Sequence, residues 1–113
     1  MNMGKKAKVF VCREAVDMRK SYDGLYGLVR TALGNPLSGD VYLFVSRSRN
    51  RAKALYWDGN GLNIWMKRLE EGRFADVFTR GELTLNELML FFEGSSAVKQ
   101  RISSEEITKR FIA

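Results

Sequence analysis

The chain has 113 residues, of which 19 are Lys or Arg and 13 are Asp or Glu, and it holds no histidine and a single cysteine, Cys12. The missing imidazole excludes Ser-His-Asp and Cys-His nucleophile systems and histidine-ligated zinc, and one thiol excludes a disulfide framework or a cysteine-built metal site. Apolar residues make up 45% of the sequence, enough for one core and too few for two, and the net charge of +6 favours an anionic partner, most often nucleic acid.

There are no internal repeats and only one proline, Pro36, so a single domain over residues 1–113 is expected. Residues 1–57 hold eleven cations against four acids, whereas residues 58–113 hold eight against nine, which assigns the basic character to the first half. Lys5, Lys6 and Lys8 precede an apolar run, Val9 to Cys12, that is shorter than a secretory hydrophobic region, and no later run approaches a membrane span. A cytoplasmic protein with no membrane partner is expected.

Ala7 to Arg13 is rich in β-branched and aromatic residues and reads as a first strand, with Cys12 inside it as a small buried hydrophobe. From Ser21 the spacing turns helical, placing Tyr22, Leu25, Tyr26, Val29, Ala32 and Leu33 on one core-facing side. Ser21 is the expected cap, and Gly34 with Pro36 the stop.

Three strands follow, Val41 to Ser46, Ala52 to Trp57 and Leu62 to Lys67, as a β-meander. Asn60-Gly61 suits a two-residue turn, which pairs Gly59 with Leu62, Trp57 with Ile64 and Leu55 with Met66 and makes theirs the core face. The opposite face then sets Tyr56 across from Trp65, beside Asp58, Asn63 and Lys67. It is expected to be partly solvated, its aromatic pair available to a partner or a covering helix.

Thr84-Leu85-Asn86-Glu87 has the spacing of a capping box and opens a helix that runs to about Glu93, with Gly94 as its stop. This helix is apolar on more than one side, so the tail or another subunit is expected to cover it. A second box, Ser103 to Glu106, opens a short helix with Ile107, Phe111 and Ile112. The expected class is α+β: a small antiparallel sheet, made of the meander and the N-terminal strand, with a helix after the first strand and C-terminal helices.

Arg47, Arg49, Arg51 and Lys53 alternate with smaller residues, and no acid lies between Val41 and Trp57. In an extended strand alternate residues recur at roughly 6.6 Å, a pitch suited to phosphates. A turn at Ser48 to Asn50 would cluster them at a hairpin tip instead. The competing structural reading is a solvated loop whose charges deter edge pairing. Lys67, Tyr56 and Trp65 complete the candidate nucleic-acid contacts, although strand aromatics more often serve a core.

Asp17, Asp58 and Glu70 or Glu71 are the only acids from which a two-metal site could be imagined, and nothing in the sequence brings them together. No phosphate-binding glycine loop is present. No catalytic residue, metal or cofactor is therefore assigned.

The runs CREAVDMRKSYDGLYGLV (Cys12 to Val29), SRSRNRAK and LYWDGNGLNIWMKRLEEGRF (Leu55 to Phe74) strongly resemble the TnpB-type accessory protein of the insertion sequence 66 transposon family. This TnpB is distinct from the RNA-guided nucleases that share its name. The resemblance covers about Val9 to Gly94, leaving 95–113 as a tail. Asp17, Met18 and Arg19 match the family's VDMR signature, Arg47, Arg49 and Arg51 its basic segment, and Trp57, Asp58 and Gly59 its YWDG signature. Lys67, Arg68, Gly72, Arg73 and Phe74 match its KRLE-and-GRF end.

The resemblance implies an auxiliary protein encoded beside a separate acidic-triad transposase, and it carries no catalytic role. The expected function is a DNA-associated transposition accessory factor, not an enzyme. Its expected partners are DNA, at the element ends or without sequence preference, and the transposase and other proteins of the same element, with a homodimer left open. The alternative is an adaptor that joins the transposase complex through the aromatic sheet face or the Leu85 to Phe92 helix without touching DNA. A small carboxylate nuclease is a third and weaker alternative.

Overall fold

A computed structural model describes residues 6–94 of the chain. Strand β1 (Val9–Val11) leads through a loop into helix α1 (Tyr22–Leu28), which continues as a π-helical turn, Val29–Leu33. Strands β2 (Val41–Val45), β3 (Arg51–Trp57) and β4 (Leu62–Arg68) follow, then a short β5 (Glu82–Leu83) and helix α2 (Leu85–Glu93).

The five strands form one sheet in the order β4-β3-β2-β1-β5. Every pairing is antiparallel except β1 with β2, whose parallel alignment needs a long crossover, here supplied by α1. The expected α+β class holds. The unforeseen strand is β5, which is only two residues long and pairs with β1.

Strand alternation divides the apolar residues between the two faces. Val9, Val11, Val41, Leu43, Val45, Ala52, Ala54 and Tyr56 turn to one side and pack against Phe74, Val77 and the α2 residues Leu88, Phe91 and Phe92. Ala52 and Ala54 add little bulk there, and aromatic rings fill the layer: Phe74 stacks on Phe91 at 4.6 Å and Trp65 on Phe92 at 4.1 Å. On the other side, Tyr42, Phe44 and Leu55 pack with Val16, Met18, Leu25 and Val29. Both faces are covered, so β2 is buried along its whole length.

The turn after β3 differs from expectation. Trp57 pairs with Leu62, Leu55 with Ile64 and Lys53 with Met66, two residues away from the expected register, and Ala54 rather than Tyr56 faces Trp65. The loop is the four residues 58–61, closed by the Asp58 carboxylate, which accepts the Asn60 and Gly61 amides at 3.0 Å each. Positive φ falls on Gly59, at 110°, and not on Asn60 or Gly61. A slip of two preserves side-chain parity, so the residues expected to share a face do share it. The face expected to be half-solvated is nevertheless a core: Tyr56 is buried, and α2 is the element that covers it.

Helix α1 holds two further corrections. The π turn, closed by the Gly34 amide on the Val29 carbonyl at 2.8 Å, inserts a residue into the helical repeat. Leu33 thereby stays against the core while Ala32 rotates to solvent. Tyr22, expected in the core, is 47% exposed at the first turn, and Ser21 precedes the helix without a side-chain capping bond. Cys12 lies just past the end of β1 and is half-buried against the α1-side core.

Helix α2 starts as its sequence requires. The Thr84 hydroxyl accepts the Glu87 amide at 3.1 Å and the Glu87 carboxylate accepts the Thr84 amide at 2.9 Å, satisfying two free donors of the first turn. Gly94 ends it in the left-handed conformation. The expected helix from Ser103 lies outside the described residues.

Candidate nucleic-acid interface

Between β2 and β3 the chain turns over Ser46 to Asn50. The Ser46 amide donates to the Arg51 carbonyl and the Arg49 amide to the Ser46 carbonyl, each at 2.9 Å. Ser46 Oγ accepts the Arg51 amide at 3.1 Å, and Ser48 Oγ donates to Asn50 Oδ1 at 2.6 Å. Serine and asparagine side chains thus build the turn, which leaves the interleaved arginine side chains unused in it. Arg47 and Arg51 are exposed and Arg49 is half-exposed. Arg49 also sits at φ 57°, a left-handed conformation uncommon for a residue with a Cβ.

Two other segments dock beside this tip. After β1, the Val16 amide donates to the Val45 carbonyl at 3.0 Å, and Val16 and Met18 insert into the core as anchors. Asp17 and Arg19 are left outside, joined by a salt bridge of 2.7 Å. The Arg19 guanidinium, with its backbone amide, holds the Asp17 carboxyl well below the usual carboxylate range. After β4, the Leu69 amide donates to the Asn50 carbonyl at 2.7 Å and the Phe74 amide to the Arg49 carbonyl at 2.6 Å. This reversal passes through Gly72 at φ 76° and leaves Arg73 exposed, while Phe74 is buried.

The result is one cationic end of the sheet. Between the first two segments lies a groove of about 570 Å³ lined by Ala15, Asp17, Met18, Ser46, Arg47 and Arg51. Arg19 is balanced by Asp17, and Arg68 by Glu70 at 3.1 Å. Among the described residues, the guanidiniums of Arg47, Arg49, Arg51 and Arg73 form no ion pair. Four unpaired guanidiniums against one unpaired acid of the reversal, Glu71, leave this end with a net positive field suited to phosphate oxygens.

The other sequence candidates lie elsewhere. Lys53, expected beside the tip arginines, is instead 7% exposed in a central strand and donates to the Lys20 carbonyl at 2.6 Å. Lys67 donates to the Phe92 carbonyl at 2.6 Å and so ties β4 to the end of α2. Tyr56 is buried and Trp65, half-buried, gives one face to Phe92, so the aromatic pair serves the α2-side core. Trp57, Asp58 and Gly59 lie at the far end of β3, a strand of seven residues and so roughly 20 Å away.

Asp58 serves its turn: the Asn60 amide, then the Asn63 side chain, lower its pKa from the usual value. Among the described residues no three of Asp, Glu and Cys are grouped closely enough to hold a metal ion. In the sequence Arg73 stands out only as part of a motif. No local signal marks it as a neighbour of Arg49, because the contact is made by tertiary hydrogen bonds.

The family model described as IS66 Orf2 like protein matches residues 7–101. The chain belongs to that family. The match takes in the Asp17 to Arg19 loop, the basic tip and the Arg68 to Phe74 reversal together, and it places the chain among insertion-sequence accessory proteins.

Similar curated proteins come from Sinorhizobium fredii (strain NBRC 101917 / NGR234), and both are named as uncharacterized. Protein y4jC is 37% identical over 68 residues, covering 59% of this chain and 58% of the relative. Protein y4hO is 35% identical over 73 residues, covering 64% of each. The chain thus spans about three fifths of the length of these relatives. No solved structure matches it. No helix among the described residues is long and apolar enough to cross a membrane.

Proposed function

We propose that this family member assists insertion-sequence transposition by associating with DNA, and that Arg47, Arg49, Arg51 and Arg73 supply the phosphate contacts. One observation carries the reading: of the six guanidiniums without an ion pair among the described residues, four gather at a single end, around a turn held by other side chains, while Arg13 lies beside Gly81 and Arg30 on the helix after β1. A positive field fixed on a rigid sheet end attracts a polyanion without prior ordering of a loop. Such contacts position the protein on the backbone and read no bases, so the interaction is largely independent of sequence.

The adaptor reading rests on the Tyr56–Trp65 face and on α2, and these pack largely against each other. It is retained as an outcome of the test. The test is the salt dependence of binding to duplex DNA by the full chain and by a triple variant, Arg47→Ser, Arg49→Asn and Arg51→Ser. Asparagine is chosen at 49 because it tolerates the left-handed backbone there. Three lost contacts at ~0.9 each should make the slope of log affinity against log salt shallower by about 2.7. A folded variant that keeps the parent's slope would refute the tip as the contact. Absence of DNA binding by the parent, with tight binding to the transposase, would establish the adaptor.

A further inference from the structure

The two edges of the sheet are unequal. β5 is two residues long, too short to template another strand, whereas β4 runs seven residues with its outer side unpaired among the described residues. The ladder fixes which backbone groups face out. The Asp58 amide donates to the Gly61 carbonyl and the Leu69 amide to the Asn50 carbonyl, which marks both as hydrogen-bonded pairs in the β3–β4 register. Bonded and non-bonded pairs alternate along an antiparallel ladder, so Asn63, Trp65 and Lys67 are the β4 residues bonded to β3. The N–H and C=O of Leu62, Ile64, Met66 and Arg68 therefore point away from the sheet. Their side chains lie on the α1 side, where cover is incomplete: Met66 is 51% exposed.

We propose that β4 pairs with β4 of a second copy, antiparallel, about a two-fold axis at Trp65. The argument is the self-complementarity of the strand. In this register Leu62 faces the partner subunit's Arg68 and Ile64 faces the partner subunit's Met66, so every outward backbone group of the strand finds its mate. A register shifted by one position to either side of Trp65 leaves an end residue unmatched. Lys67 falls opposite the partner subunit's Asn63, so no like charges meet directly. The exposed Met66 gains an apolar neighbour. Because β5 is too short to serve as a second joining edge, the pairing closes at two chains and does not extend into a fibre. This proposal is independent of the DNA reading.

Sedimentation of the full chain across concentrations up to the high micromolar range tests it. The parent should sediment at twice the 12.9 kDa chain mass. Met66→Pro should sediment as a single chain with the parent's circular dichroism spectrum, because the lost N–H points outward and edge strands accept proline at such positions. Met66→Lys, which keeps the backbone donor and adds a charge at the seam, should weaken the dimer in the same direction should the proline variant fail to fold. A parent that remains a single chain throughout overturns the proposal, whether the edge is open or is covered by another segment or partner. A dimer that survives both substitutions overturns it too.

Discussion

Arg51 lies directly opposite Arg68 in the β3–β4 ladder, so the strand pair that carries the cationic end begins with two like charges in cross-strand register. Glu70 offsets Arg68 alone. Directly opposed like charges destabilise a sheet, which makes Arg51 a residue that the fold would be better without. Arg51→Thr should therefore raise the stability slightly, by about 0.2–1 kcal/mol, and at the same time make the DNA salt slope shallower by ~0.9. Thermal melting and a salt titration on the same preparation check both signs. A lowered melting temperature would mean that Arg51 serves the sheet.

Lys53 should behave in the opposite way. It sits between Phe44 and Met66 in the ladders, is almost fully buried, and its amine reaches the Lys20 carbonyl. Lys53→Ala removes that bond and the packing of the stem, at a cost of about 1–3 kcal/mol in denaturant unfolding. Its DNA salt slope should equal the parent's. A shallower slope would return Lys53 to the contact surface.

These two residues show what the sequence could and could not disclose. Arg51 and Lys53 are two positions apart in one alternating basic run, and local pattern treats them alike. Their fates differ because β3 enters the sheet interior within those two residues, and burial on both faces is decided by α1 and α2, which lie far off in sequence. Strands β1 to β4, the capping box at Thr84 and the tip at Ser48 to Asn50 were legible, since each rests on neighbours within a few residues. The grouping of Arg49 with Arg73 was not, since it depends on the hydrogen bond from the Phe74 amide to the Arg49 carbonyl, across 25 positions. The slip at Asn60-Gly61 arose from a local competitor: the Asp58 side chain caps the loop and moves the positive φ to Gly59.

That loop makes a prediction at acid pH. The Asn60 amide, the Asn63 side chain and the Gly61 amide favour the ionised Asp58, so its folded-state pKa lies below its unfolded value. The stabilisation is fully present above the unfolded value of about 4 and is lost as pH falls through the folded one. Asp17 adds a contribution of the same sign through Arg19. The melting temperature of Asp58→Asn should consequently fall less steeply below pH ~4 than the parent's, and that of the double variant with Asp17→Asn less steeply still. Parallel curves for all three proteins would show that these carboxylates do not stabilise the fold.

The same loop separates its two glycines. Gly59, at φ 110°, has open space where a side chain would project, so the penalty there is conformational alone. Gly59→Val should cost about 1–3 kcal/mol, as expected for a β-branched residue forced out of its allowed regions. Gly61→Ala, at a backbone angle outside the left-handed region and with nothing close by, should cost less than about 1 kcal/mol. Equal losses in chemical denaturation would place the strained position wrongly.

The extent of the cationic surface is settled by counting cations at both ends of the sheet. Arg73 reaches the tip only because the chain folds back on Asn50 and Arg49, so its inclusion tests the tertiary arrangement more sharply than any tip arginine does. Lys8 provides the control: it is exposed, and its carbonyl accepts the Val41 amide at the opposite end of β2. Each phosphate contact contributes ~0.9 to the salt slope, so Arg73→Ser should make it shallower by that amount and Lys8→Ser should leave it unchanged. Adding Arg73→Ser to the triple tip variant should remove about 3.6 in all, since the contacts are independent phosphates. Equal effects from Arg73 and Lys8 would mean that the protein binds DNA as a diffuse polycation, with no defined face. An effect of Lys8 alone would move the interface to the far end, beside Trp57 and Asp58.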